Sequence, residues 1–140
     1  MQIKIKKLNT NLPTPKQAYV GDAGVDVYAS KKTILKPATC VAVPVGIALE
    51  IPDGYYAYIT DKSGLSITNK IKTMGGVIDS NYRGEIHAGL MNLSDKEYIF
   101  EVGDKVAQMI IQKTETVQFL EVEELGESER GEKRFGSSGK

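Results

Sequence analysis

The chain has 140 residues, and its 18 lysine and arginine side chains balance 18 aspartates and glutamates, so the formal net charge is zero. That balance supplies no global field to recruit a polyanion: nucleic acid is not an expected partner, and any bound anion must be held by local groups. A single cysteine, Cys40, excludes an intrachain disulfide, and one histidine, His87, leaves too few ligands for a Cys/His zinc site. The N-terminal MQIKIKKLN has no apolar signal core and no apolar run is long enough to span a bilayer, so the expectation is one soluble, cytoplasmic domain without a membrane partner.

In chain order the dominant hydrophobic period is two, the period of strands. Ile3 and Ile5 alternate with lysines, GDAGVDVYAS places Asp26 on a strand-like segment after Ala23-Gly24, and Val41, Val43 and Val45 alternate with Ala42 and Pro44. A brief helix is expected after Ser63-Gly64, with Leu65, Ile67 and Ile71 as inward contacts. Further strands are read over Tyr98, Phe100 and Val102, along GDKVAQMII around Gln108, and from Val117 to Phe119. Turn signals at Lys36-Pro37, Pro52-Asp53-Gly54, Gly75-Gly76, Ser94-Asp95 and Gly103-Asp104 punctuate these runs, as in an all-β sandwich or barrel. From about Glu121 the composition becomes charged and rich in glycine and serine. Residues 1–125 read as one β domain and 126–140 as a flexible C-terminal arm.

The densest chemistry lies in GVIDSNYRGEI, Gly76 to Ile86. Val77 and Ile78 are β-formers leading into Asp79, and a carboxylate there is costly to half-bury unless something uses it, which makes Asp79 the first candidate for a general base. Tyr82 offers a ring to stack on, and Gly84 lets a flat ligand approach the backbone. The same residues read equally as a β-turn, Asp79-Ser80-Asn81-Tyr82, whose acid bonds its own backbone. Three other segments have similarly paired readings: Asp26 as a site acid or a turn acid, DKSGLS as an anion-binding helix start or an N-cap at Ser63, and Gln108 as a polar ligand group or an outward strand residue. The end of the chain, Arg130-Gly131 and Phe135-Gly136-Ser137-Ser138-Gly139, carries a guanidinium, an aromatic face, two hydroxyls and open backbone N–H groups, parts that suit a nucleotide. Gly131 and Gly136 have the end-glycine spacing of a Walker A loop, but Ser137 stands where the lysine should be and no strand or helix flanks it, which excludes a P-loop ATPase.

Together and in this order, AGVDVYAS, DKSGLS, GGVIDSNYRGEI, GDKVAQMII and RGEKRFGSSG resemble the five motifs of the trimeric dUTPase family, over about Gly21 to Gly139. The resemblance implies a jelly-roll-like β fold with one short helix, a homotrimer with active sites shared between subunits, and hydrolysis of dUTP to dUMP and pyrophosphate with Mg²⁺, which keeps uracil out of DNA and supplies dUMP for dTMP synthesis. It implies roles as well. Asp79 would activate a water for in-line attack on the α-phosphorus, Tyr82 would stack under the deoxyribose and exclude a 2′-hydroxyl, and the hairpin Thr73, Met74, Gly76, Val77 and Ile78 would read uracil. Lys62, Ser63, Gly64 and Gln108 would hold phosphates, and Asp26 would contact the metal through a water. Arg130, Phe135, Gly136, Ser137 and Ser138 would close over the nucleotide, with Phe135 on the uracil.

Several positions depart from the family pattern. Asp61-Lys62 replaces the usual Pro-Arg of the second motif, exchanging a planar bidentate donor for a point charge. Lys133-Arg134 stand where small residues are common, Asn81 where an aspartate is common, and Thr73 where an asparagine is frequent. Two rivals follow from the same pattern. A dCTP deaminase shares the fold but needs a glutamate seven residues after the third-motif aromatic, where this chain has Gly89. A catalytically idle binding protein of the same fold is opposed by the presence of both Asp79 and the full tail.

Overall fold

The computed structural model describes residues 1–133. Eleven strands are present: β1 Lys4–Lys7, β2 Val25–Tyr28, β3 Thr33–Leu35, β4 Cys40–Pro44, β5 Ile47–Glu50, β6 Tyr55–Thr60, β7 Ile71–Met74, β8 Val77–Ile78, β9 His87–Asn92, β10 Tyr98–Phe100 and β11 Lys105–Lys113. They form four small sheets, ordered β1-β5, β10-β3, β2-β11-β6-β8 and β4-β9-β7, with every pairing antiparallel. Sequence neighbours seldom pair, so the chain crosses repeatedly between sheets and wraps one core. Val27, Leu35, Val43, Ile47, Ile59, Ile71, Leu90, Phe100 and Val106 meet there, one from each strand except β1 and β8.

The alternating segments fold as their pattern directs. Val43 and Val45 are buried while Val41 packs at the margin, and Phe100 turns inward while Ile99 faces out. The turns are where glycine and proline mark them: Tyr55 N–H donates to the Pro52 carbonyl across Gly54 (φ +77°), and Asp104 N–H donates to Glu101 across Gly103 (φ +93°). The one buried polar side chain among the described residues, Asn92, is fully employed. Its amide donates to the carbonyls of Leu35 (3.0 Å) and Lys96 (2.8 Å), and its oxygen accepts from Ser94 N–H and Oγ.

Three local expectations are corrected. The helix is a single turn, Gly64–Thr68, in which Leu65 packs on the core but Ile67 is 80% exposed; Ile71 lies beyond it as the buried first residue of β7. Thr68 and Asn69 are too weak as helix formers to carry a second turn. Val102 lies past the end of β10 in an exposed turn, because Gly103-Asp104 reverses the chain at once. Val117 to Phe119 is not a strand: both residues are exposed, as are Leu120, Val122 and Leu125, and β11 ends at Lys113. Alternation records a side chain's need for a covering surface, and within this chain nothing among the described residues covers that stretch.

Candidate active site

Three neighbouring strands assemble the first half of the site. Gln108 on β11 lies directly opposite Asp26 on β2 and Thr60 on β6, so the three form one row across the sheet and project to the same face. Asp61, Lys62, Ser63 and Gly64 follow at once from the end of β6. The Gln108 amide donates 2.7 Å to the Asp61 main-chain carbonyl, which fixes its direction and leaves its second N–H for a ligand. Gly24 packs against the other side of that amide: a Cβ there would stand 2.9 Å from Gln108 Oε1. The sequence reading passed over this glycine, whose role is a long-range contact that no local pattern announces.

Lys105 was also missed. Between Lys105 and Ala107 the β2–β11 register shifts by one residue, a β-bulge at Val106. With strict alternation Lys105 would share the core face of Ala107 and Met109; the extra residue turns it to the face of Asp26 instead. Its Nζ then reaches Asp26 Oδ2 at 2.7 Å, while Lys62 Nζ bonds Oδ1. Burial raises the Asp26 pKa, but the hydrogen bonds and charges of the two lysines outweigh it and hold the carboxyl below its ordinary value, and Asp26 in turn raises Lys105.

This donor set bears on Mg²⁺. Among the described residues no three histidine, cysteine, aspartate or glutamate side chains cluster; of the two carboxylates at this end, Asp26 is shared by two ammonium groups and Asp61 is taken up by Lys72 and Thr73. Asp26 therefore fits an outer role, through a bound water, to a cation whose direct ligands come from elsewhere.

The second half begins beside Ile59 and runs along β6 to its other end. Val77 and Ile78 of β8 pair with Tyr58 and Ala57, and the Ile59 N–H donates 2.7 Å to the Gly76 carbonyl. Gly76 is required here, because its φ is +107° and a Cβ would meet the Ile59 oxygen at 2.4 Å. Asp79 comes next. The turn Asp79-Ser80-Asn81-Tyr82 is present, closed by the Tyr82 N–H on the Asp79 carbonyl at 3.1 Å, but it is made by the main chain. The carboxylate itself is exposed and bonds no described group, so the expectation of a half-buried acid is corrected.

The role expected for Gly84 changes as well. A Cβ at Gly84 would lie 2.4 Å from the Tyr82 hydroxyl, which donates to the Glu85 carbonyl at 2.9 Å. The missing side chain makes room for the Tyr82 ring itself, and the ring is thereby fixed with an outer face open.

Asp79 borders a hollow of about 670 Å³ with Asp53, Tyr55, Tyr56, Val77, Ser80, Asn81 and Thr114, and a smaller one with Tyr82 and His87. Neither lining includes a lysine or arginine. By register, Asp79 stands beside Tyr56, four residues along β6 from the Gln108–Thr60 row, a separation of roughly 13 Å at about 3.3 Å per residue. One chain thus brings Asp26, Lys62, Ser63, Gly64 and Gln108 to one place, while Gly76, Val77 and Ile78 lead from beside it along β6 to Asp79 and Tyr82 at another. Thr73 links the two, as described below. Arg130 is exposed, with Nε on the Lys133 carbonyl at 3.3 Å, and Phe135, Gly136, Ser137 and Ser138 lie outside the described residues.

The chain and its fold match known proteins. A profile of the dUTPase family matches residues 10–139. The deoxyuridine 5′-triphosphate nucleotidohydrolase of Helicobacter pylori J99 is 39% identical over 99% of this chain and 97% of its own, and that of Finegoldia magna is 42% identical over 98% and 99%. A mutant dUTPase of Staphylococcus bacteriophage 80α superposes with a TM-score of 0.90 at 27% identity, covering 98% of each chain, and another mutant in complex with dUpNHpp superposes at 0.88 with 28% identity over 99% and 98%. A mutant dUTPase of phage phi11 of S. aureus, described as coordinating a structural Mg(II) ion, shares the fold at a TM-score of 0.84 with 23% identity, over 91% of this chain and 100% of its own. The chain belongs to the dUTPase family. It is accordingly a hydrolase of the dUTP diphosphatase class with that family's β fold.

Proposed function

We propose that the chain converts dUTP to dUMP and pyrophosphate at sites built from more than one copy of itself, in a homotrimer. The observation that carries this is the separation along β6. The Asp79 end offers a base and a stacking ring but no cation in its hollows, and a triphosphate carries several charges that need one. Lys62, Lys105 and the Gln108 amide stand together at the Thr60 end. A second copy presenting its Thr60 end to the first copy's Asp79 supplies what each lacks. The exposed Val117, Phe119, Leu120, Val122 and Leu125 lend further support, since an apolar arm uncovered by its own chain calls for a surface on another.

In the assembled site Asp79 accepts a proton from a water whose oxygen attacks the α-phosphorus in line, and the bond to the bridging oxygen breaks to release pyrophosphate. Such a general base contributes on the order of 10²–10⁴-fold. The fixed Tyr82 ring lies under the deoxyribose and leaves no room for a 2′-hydroxyl. Main-chain groups from Thr73 to Ile78 read the uracil edge. Lys62, Ser63, Gly64 and the free N–H of Gln108 hold phosphate oxygens, and the arm brings Arg130, Ser137, Ser138 and the Gly136 backbone to them, with Phe135 over the base. Asp26 would hold Mg²⁺ through a bound water, with the triphosphate supplying most of the other oxygens, and the ion would neutralise phosphate charge when bound. On this reading residues 126–140 are a closing segment of the 1–125 domain. The bacterial relatives and the single, exposed Cys40 support a cytoplasmic location.

The deaminase alternative meets an obstacle at Gly89. This residue lies in β9 opposite Met74, and a Cβ there would stand 2.5 Å from the Met74 carbonyl oxygen, so the strand pair as spaced admits no glutamate. Pyrophosphate release from dUTP, dCTP and UTP in parallel, with the assembly mass measured in the same buffer, tests the proposal. Release from dUTP alone by a trimer is expected. Full activity in a monomer overturns the shared site, and the absence of any release overturns the enzyme.

A further inference from the structure

Asp61 occupies a place in the fold that the roles above leave unused. Its carbonyl receives the Gln108 amide, and it is followed directly by Lys62, Ser63 and Gly64. Its carboxylate, 22% exposed, reaches twelve residues along the chain: Oδ1 accepts from Thr73 N–H at 2.7 Å and from Thr73 Oγ1 at 2.6 Å, and Oδ2 pairs with Lys72. β7 is the edge of its sheet, with β9 on one side only, so Asp61 satisfies a backbone donor on the edge that would otherwise be open. Beyond Thr73 the chain passes through Gly75 (φ +72°) and Gly76 (φ +107°) and returns to β6, where Ile59 N–H holds the Gly76 carbonyl. Two adjacent glycines make a compliant joint, and its conformation is set from the two sides by two clamps, the Asp61 carboxylate before it and Ile59 N–H after it.

We infer that Asp61 is a positioning residue for base selection: by clamping Thr73 and Lys72 it sets the main-chain groups of the Thr73–Val77 arm against β6. Base discrimination by main-chain donors and acceptors depends on fixed positions, because a shift of a few tenths of an ångström lets a mismatched edge find partial partners. Asp61 touches no substrate atom. Its effect passes through Thr73, and it joins the arm to the Lys62–Ser63–Gly64 turn through its own backbone. Where the family's second motif has a proline, this chain thus has a side chain that reaches across to the arm. The inference rests on the reading that the arm selects the base, and the experiment separates the two.

The parent, Asp61→Ala, Asp61→Asn and Thr73→Val are compared by kcat/KM for dUTP and dCTP, with thermal midpoints recorded so that assays run well below unfolding. A parent that does not favour dUTP overturns the reading of the arm itself. Given a selective parent, Asp61→Ala is expected to lower the dUTP-to-dCTP ratio at least tenfold, chiefly through a raised KM for dUTP with kcat little changed. Asp61→Asn keeps an acceptor for Thr73 and should recover part of the ratio, and Thr73→Val, which keeps the N–H and loses only the hydroxyl, should cost about threefold. A ratio within twofold of the parent in Asp61→Ala, whatever its midpoint, overturns the inference, as does a loss confined to kcat. If Asp61→Ala does not fold, the same comparison rests on Asp61→Asn and Thr73→Val, and unchanged ratios in both overturn it.

Discussion

At the Thr60 end of β6 the charged side chains Asp26, Asp61, Lys62 and Lys105 all stand in ion pairs, whereas at the Tyr55 end Asp79 is exposed and without a partner among the described residues. The two conditions suit different tasks. A group that must grip a polyanion gains from being ordered beforehand, because less side-chain freedom is lost on binding. A group that must take a proton gains from having no donor on its oxygens, since hydrogen bonds to the charged form stabilise it and weaken it as a base. On the proposed roles, one strand serves both tasks by keeping them at opposite ends.

Removing the unpartnered acid gives the largest expected effect. Asp79→Asn should reduce turnover by on the order of 10²–10⁴-fold while dUTP still binds and the thermal midpoint stays level, because the carboxylate supports nothing in the fold. Steady-state turnover within threefold of the parent removes Asp79 from the role of base. Deleting the chain from Arg130 onward should come next. Residues 114–133 are exposed and form no strand, so the trimer should persist and its midpoint barely move, while most activity is lost and the stabilisation by a non-hydrolysable dUTP analogue shrinks. Dissociation to monomers would make the segment structural.

The ordered end is probed more finely. Gly24→Ala places a methyl 2.9 Å from Gln108 Oε1 and should turn the amide away from the phosphates it is proposed to hold. Losing one hydrogen bond to a charged oxygen is worth about 1.5–3 kcal/mol, so KM for dUTP should rise at least about tenfold with kcat less affected. An unchanged KM would separate Gln108 from the phosphates. Asp26 and Asp61 are both held below the ordinary carboxylate value of 3.8, so their stabilising pairs are fully present above it and are lost as pH falls through the lowered folded values. Acid titration of the thermal midpoint should therefore show a drop below about pH 4 that is shallower in Asp26→Asn; equal slopes would show that other carboxylates govern acid unfolding. The smallest effect is expected of Lys62→Arg: a planar fork can bond Asp26 and a phosphate at once, and KM should stay level or fall. A clear rise would show surroundings adapted to lysine.

Much of this was legible in the chain itself. The alternation of Val41, Val43 and Val45 and the glycine and proline turns mark the strands because burial on one face and reversals at φ > 0 leave a local trace. The residues of the motifs carry their chemistry by type and order, so Asp79, Tyr82 and Gln108 stood out before any geometry was known. What could not be read depends on distance. The bulge at Val106 that turns Lys105 toward Asp26, the fit of Gly24 against Gln108 and the reach of Asp61 to Thr73 join residues 12 to 84 positions apart, and a period of two is silent about all of them. Val117 to Phe119 erred in the opposite direction, since its alternation is real but nothing among the described residues covers it.

The close approach at Gly89 has an evolutionary side. A lineage moving from hydrolysis of a phosphoanhydride to deamination of the base on this scaffold must acquire an acid at that position, yet the first step runs into the Met74 carbonyl 2.5 Å away. Selection would reject the glutamate before its chemistry could be tried, unless β7 and β9 had already drifted apart. The order of changes is thereby constrained: widening of the strand pair must precede the new side chain. A laboratory attempt to interconvert the two activities should likewise begin by loosening the Met74–Gly89 pair and add the acid second.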